Sequence, residues 1–83
     1  MKIEIQKWLV DWFSKNSSTS EEEVLSHLND NYFELGYVDS FGFLSMIVDI
    51  QEKYDVDLNN DDFTGQGFST INGLSELIAN KIS

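Results

Sequence analysis

The sequence predicts an all-α fold: a small four-helix bundle of three longer helices and a short one, with a long first loop. Three observations predict it. Apolar residues recur at the helical spacing in three separate stretches. No stretch shows the sustained polar–apolar alternation of a strand. The 83 residues suffice for one modest core, so a single domain over 1–83 is expected and a deep cleft between two lobes is not.

The first stripe is Ile5, Trp8, Leu9, Trp12 and Phe13, spaced i, i+3, i+4, i+7 and i+8, which places a helix over roughly residues 2–15 with both tryptophans on its core face. The polar run 15–19 has loop composition. Ser20 and Glu23 then form a capping box for a short second helix carrying Val24, Leu25 and Leu28. Residues 32–38 read as irregular, with Gly36 as a turn residue and several large side chains pinning the loop to the core. Asp39 is the expected N-cap of a strong helix from Ser40 to about Tyr54, whose core face is Phe43, Met46, Ile47, Ile50 and Tyr54. A helical turn is expected around Asn60 to Phe63, Gly65 and Gly67 interrupt the chain, and Thr70 caps a last helix with Ile71, Leu74, Leu77, Ile78 and Ile82 in period.

Composition narrows the function. Hydrophobic residues at 41% and aromatics at 13% support a packed core in spite of a net charge of −10. Without cysteine there is no disulfide framework, no thiolate metal site and no thiol of the protein's own. No apolar run reaches the length of a membrane span, and the amphipathic start lacks the uninterrupted apolar segment of a signal peptide, so a soluble, cytoplasmic protein is expected. Between Glu21 and Asp62 lie 12 acidic residues against one basic residue, Lys53. Such a field repels nucleic acid and anionic lipid and attracts basic protein surfaces. Charge alone equally accommodates acids that serve only solubility.

The segment from Ser40 to Tyr54 carries the most specific signal. Beside its core face run Phe41, Leu44 and Val48, widening the apolar arc to roughly 220°, more than one buried face requires. Part of that arc should meet solvent or a partner, with Ser40 at its head and Asp49 and Glu52 along its border. A nucleophilic role for Ser40 would need a general base and an oxyanion site; His27 is the lone histidine, and no Gly-x-Ser-x-Gly elbow is present. Two readings of Ser40 stay open at this level. It is an ordinary N1 or N-cap residue after Asp39, or it accepts a phosphate group that the helix N-terminus stabilises, added by another enzyme.

The run Leu35-Gly36-Tyr37-Val38-Asp39-Ser40-Phe41, with a helix closing on Gln51-Glu52-Lys53-Tyr54-Asp55-Val56-Asp57-Leu58, resembles the acyl carrier proteins and peptidyl carrier domains. Size, helix order, long first loop and acidity agree over nearly the whole chain. The resemblance implies that Ser40 carries a covalent 4'-phosphopantetheine transferred from coenzyme A by a Mg²⁺-dependent phosphopantetheinyl transferase, with Asp39 as its motif neighbour. It implies a non-catalytic acyl or aminoacyl carrier that holds cargo as a thioester and docks through Phe41, Leu44, Val48, Asp49 and Glu52. The implied partners are that transferase, an acyl- or aminoacyl-loading ligase, and an acyltransferase or synthase with a basic docking surface; the carrier is expected to be a monomer. The chain departs from the housekeeping fatty-acid carriers at Gly42 and Ser45, where those have acids, at Phe41, where they have Leu or Met, and in one extra residue between Gly36 and Asp39. These departures resemble specialised carriers: aminoacyl or D-alanyl carriers, or dedicated ones for lipid, secondary-metabolite or saccharide modification.

Two rivals come from other classes. Asp55, Asp57, Asn59 and Asp61 occupy positions 1, 3, 5 and 7 of an EF-hand-like spacing, but position 6 is Asn60 instead of Gly and position 12 is Gln66 instead of Glu. The second is an acidic helical interaction module that docks on basic partners without modification.

Overall fold

The computed structural model describes residues 2–63, 65 and 67–82, the side chain of Asn60 excepted. Its long helices are α1 (Lys2–Ser17), α3 (Ser40–Tyr54) and α4 (Ile71–Ile82), with the short α2 (Glu21–Leu25) between the first two. Two 3₁₀ turns, Asn60–Phe63 and Gly67–Ser69, lie between α3 and α4, and the described residues contain no strand. The all-α four-helix expectation is met.

Each cap expected from the sequence is in place. Ser20 Oγ accepts from the Glu23 amide at 3.2 Å, Asp39 Oδ1 from that of Gly42 at 2.8 Å, and Thr70 Oγ1 from that of Gly73 at 3.0 Å. Helix α1 runs two residues beyond its expected end. Asn16 and Ser17, read as loop for their polarity, are helical, and their side chains donate to the Trp12 and Phe13 carbonyls one turn back. It stops at Ser18, which takes φ 58°.

The core joins Ile5, Leu9, Val10, Trp12 and Phe13 of α1 to Met46, Ile47 and Ile50 of α3 and to Ile71, Leu74 and Ile78 of α4, with Val24, Tyr32 and Leu58 closing it. Trp8 packs at its margin, edge-on to Tyr54 at 6.1 Å between ring centroids. Leu25 is the exception among the apolar residues assigned to the second helix: α2 ends there and leaves it exposed.

The long loop is tied down by its aromatic residues. Tyr32 is fully buried, its amide donates to the Ser69 carbonyl at 3.0 Å and its hydroxyl to the Phe68 carbonyl. Burial raises the Tyr32 hydroxyl far above the ordinary tyrosine range, which favours the protonated form that donates this bond. Helix α4 approaches the same turn so closely that a Cβ on Gly73 would lie 1.9 Å from the Gly67 carbonyl oxygen; only glycine fits there.

Candidate functional site

Ser40 stands at the first position of α3 with its side chain exposed. Asp39 holds an extended backbone (φ −105°, ψ −172°) and caps the helix through Gly42, while the Asp39 carbonyl receives the Phe43 amide at 2.8 Å. The Ser40 and Phe41 amides, at the opening of the helix, have no intrahelical acceptor and face the positive end of the α3 dipole. A hydroxyl placed there can take a phosphate ester whose charge the helix end stabilises.

Next to Ser40 the apolar strip stands clear of the core. Phe41 is 84% exposed, Leu44 62% and Val48 51%, values far above those of the core residues of the same helix, Met46, Ile47 and Ile50. Glu52 is exposed along its border. Asp49 is exposed too, but its Oδ2 accepts the Trp12 indole N–H at 2.9 Å, so this carboxylate also ties α3 to α1. The sequence reading assigned Asp49 only to the docking border; its bond to a core tryptophan depends on the packing of two helices that lie 37 residues apart in the chain.

Two of the departures noted in the sequence meet here. The lengthened link from Gly36 to Asp39 lays Val38 across the first turn of α3, and a Cβ on Gly42 would lie 2.6 Å from Val38 Cγ2 and 3.4 Å from Asp39 Oδ1. The missing side chain at Gly42 is the space that Val38 occupies. On this flank a groove of about 740 Å³ opens beside Ser40. The end of α1 contributes Trp12, Asn16 and Ser17, with Ser18 just beyond it, the loop contributes Phe33, Tyr37 and Val38, and α3 contributes Gly42 and Ser45. Sequence reasoning did not find this groove. Asn16–Ser18 carried only a loop signal, and nothing local reveals that the end of α1 comes to rest beside a serine more than 20 residues on.

Phe33, which also lines this groove, joins it to a cluster of rings around Phe43. Phe43 lies 5.3 Å from Phe33, 5.6 Å from Phe63 and 5.8 Å from Phe68 between centroids, and Phe63 and Phe68 touch edge-on at 5.4 Å. Phe68 was not picked out in the sequence, because it stands outside any periodic stretch, in a turn just after Gly65 and Gly67.

The EF-hand-like spacing does not form a cage. Asn59 Oδ1 accepts the Asp61 amide at 3.1 Å, and the acidic segment is turned into the 3₁₀ turn Asn60–Phe63. Among the described residues no three His, Cys, Asp or Glu side chains are grouped to hold a metal ion; Gln66 and the Asn60 side chain lie outside the described residues. The Nδ1 atom of His27 is 2.8 Å from Asp30 Oδ2 in the turn that follows α2, and His27 does not line the groove beside Ser40.

A family model described as "Phosphopantetheine attachment site" matches residues 7–78, from within α1 to within α4. Comparison with curated proteins and with solved structures yields no match. The residues around Ser40 fit the attached group: an exposed hydroxyl at a helix N-terminus for the phosphate, and an open groove alongside with room for a chain.

Proposed function

The chain belongs to the phosphopantetheine attachment family, whose domains bear a covalent 4'-phosphopantetheine on a serine, and from that premise we propose that Ser40 is the attachment residue and that the protein is a non-catalytic acyl or aminoacyl carrier. The observation that carries the assignment is the exposed Ser40 hydroxyl at the N-terminus of α3, capped by Asp39 and bordered by Phe41. The attached group supplies the terminal thiol on which cargo rides as a thioester, chemistry for which the cysteine-free chain has no group of its own.

The chain's own residues do three things. Ser40 Oγ gives up its proton to the transferase and forms the ester bond to phosphorus as the diphosphate link of coenzyme A breaks and adenosine 3',5'-bisphosphate leaves, and the first turn of α3 stabilises the anionic phosphodiester. Asp39 fixes the start of the helix, and so the direction of the serine, through its bond to Gly42. Phe41, Leu44 and Val48 offer an apolar docking strip, and Glu52 and Asp49 present negative charge to basic partner surfaces. Those partners are a phosphopantetheinyl transferase, a loading ligase and a receiving acyltransferase or synthase. Gly42 and Ser45 leave the head of the strip free of acids, and Phe41 makes it aromatic, which supports a dedicated aminoacyl, lipid, secondary-metabolite or saccharide pathway over general fatty-acid synthesis. No described helix is long and apolar enough to cross a membrane, in keeping with a carrier that diffuses between enzymes.

Incubation with coenzyme A and a broad-specificity phosphopantetheinyl transferase should add about 340 Da to the intact mass. Ser40→Ala should gain nothing. Equal labelling of that variant would move the attachment elsewhere.

A further inference from the structure

We infer that the groove between the start of α3 and the end of α1 is the resting seat of the phosphopantetheine arm, which folds back along this flank instead of entering the helical bundle. The inference rests on Ser40 as the attachment residue. Ser40 lies on the rim of the groove, so a chain tethered there samples it at the high effective concentration of an intramolecular ligand. A volume of about 740 Å³ falls within the range of small-molecule sites, roughly 300–1,000 Å³.

The lining has the chemistry of the arm. Pantetheine carries two amides, a hydroxyl and a pair of geminal methyl groups, all uncharged. Asn16, Ser17, Ser18 and Ser45 offer hydroxyl and amide groups, while Trp12 and Tyr37 offer aromatic surface for the methyls. The Trp12 indole N–H is already engaged by Asp49, so its ring meets a ligand as an apolar surface. Asp39 is the single charged residue of the lining, and it sits beside Ser40 at the phosphate end; the remainder suits a neutral chain. Gly42 and Ser45 keep the path between the two ends low.

The opposite route is obstructed. A chain leaving Ser40 toward the inside of the bundle meets Phe43 and the rings of Phe63 and Phe68 packed against it at 5.6–5.8 Å. Opening that cluster would separate rings packed edge-on and tilted against one another. The arm therefore rests on a surface of mixed polar and aromatic character.

The test uses the full chain, isotope-labelled, before and after loading with coenzyme A and transferase. Intact mass is read first, and a sample that gains no mass sinks the attachment reading and this inference with it. In the loaded protein, nuclear Overhauser contacts should link the geminal methyls of the arm to the Trp12 and Tyr37 rings, with amide shift changes at Asn16, Ser17, Ser18 and Ser45. Ser45→Phe, a change at an exposed position that fills the groove, should load to the same mass yet lose those contacts and the Asn16–Ser18 shifts. Changes confined to residues next to Ser40, contacts to Phe43, Phe63 or Phe68 in their place, or contacts that survive Ser45→Phe would each overturn the seat while leaving attachment intact.

Discussion

A methyl group added at Gly42 would collide with Val38 Cγ2, and the consequence is measurable as a coupling between the two residues. Replacing a helical glycine with alanine gains up to about 1 kcal/mol, less near a helix end. Here Val38 must leave its rotamer to make room, which costs about 0.5–1.5 kcal/mol for a stiff β-branched side chain. The opposing effects nearly cancel, so Gly42→Ala alone should change stability by less than about 1 kcal/mol. In a Val38→Ala background the collision is gone, and the same substitution should stabilise. Urea unfolding of the four proteins of this double-mutant cycle measures the coupling, expected at about 0.5–1.5 kcal/mol. A coupling of zero would mean that Val38 does not lie over the first turn.

At the scale of the element, α3 is a helix with two apolar faces, and the faces should respond differently to truncation. Leu44, exposed on the outer strip, should tolerate alanine without loss of fold, yet Leu44→Ala should slow modification of Ser40 at all salt concentrations, because it removes a contact desolvated in the complex. Glu52 acts at longer range: Glu52→Lys should slow modification most at low ionic strength and progressively less as salt screens the approach. Asp49 is the poorer probe of steering, since its replacement also strips the Trp12 indole of its acceptor. Transferase rates across a salt series distinguish the two effects. An unfolded Leu44→Ala together with a Glu52→Lys rate unchanged at low salt would place the docking face elsewhere.

For the whole molecule, one of the bonds that hold the chain between α3 and α4 titrates. The Gln51 side chain accepts the Leu58 amide at 3.0 Å, while Asp62 Oδ2 accepts the Asn59 amide at 3.0 Å and lies 3.1 Å from Lys81 Nζ on α4. The Asn59 amide foremost, and then the Lys81 ammonium, hold the Asp62 carboxyl below its ordinary range. A depressed folded-state value means that the stabilisation is complete above the unfolded aspartate value of about 4 and is lost as pH falls through the lower folded value. Asp62→Ala should therefore lower the melting temperature at neutral pH and narrow its gap to wild type in strong acid. A gap that stays constant down to about pH 2 would show that Asp62 makes no titrating contribution.

What the chain reveals along its length is whatever periodicity and neighbouring residues determine. The stripes of α1, α3 and α4, the caps at Ser20, Asp39 and Thr70, and the doubled apolar arc of α3 are set within a few residues of each other, so their outcome could be read before any packing was known. The position of Ser40 at a helix head and the strip beside it belong to the same class. The groove, the Asp49–Trp12 bond and the ring cluster around Phe43 were decided only by tertiary structure. Each joins segments remote in sequence through a distance, and such a distance follows from how helices of known faces settle against one another, information that no local spacing contains.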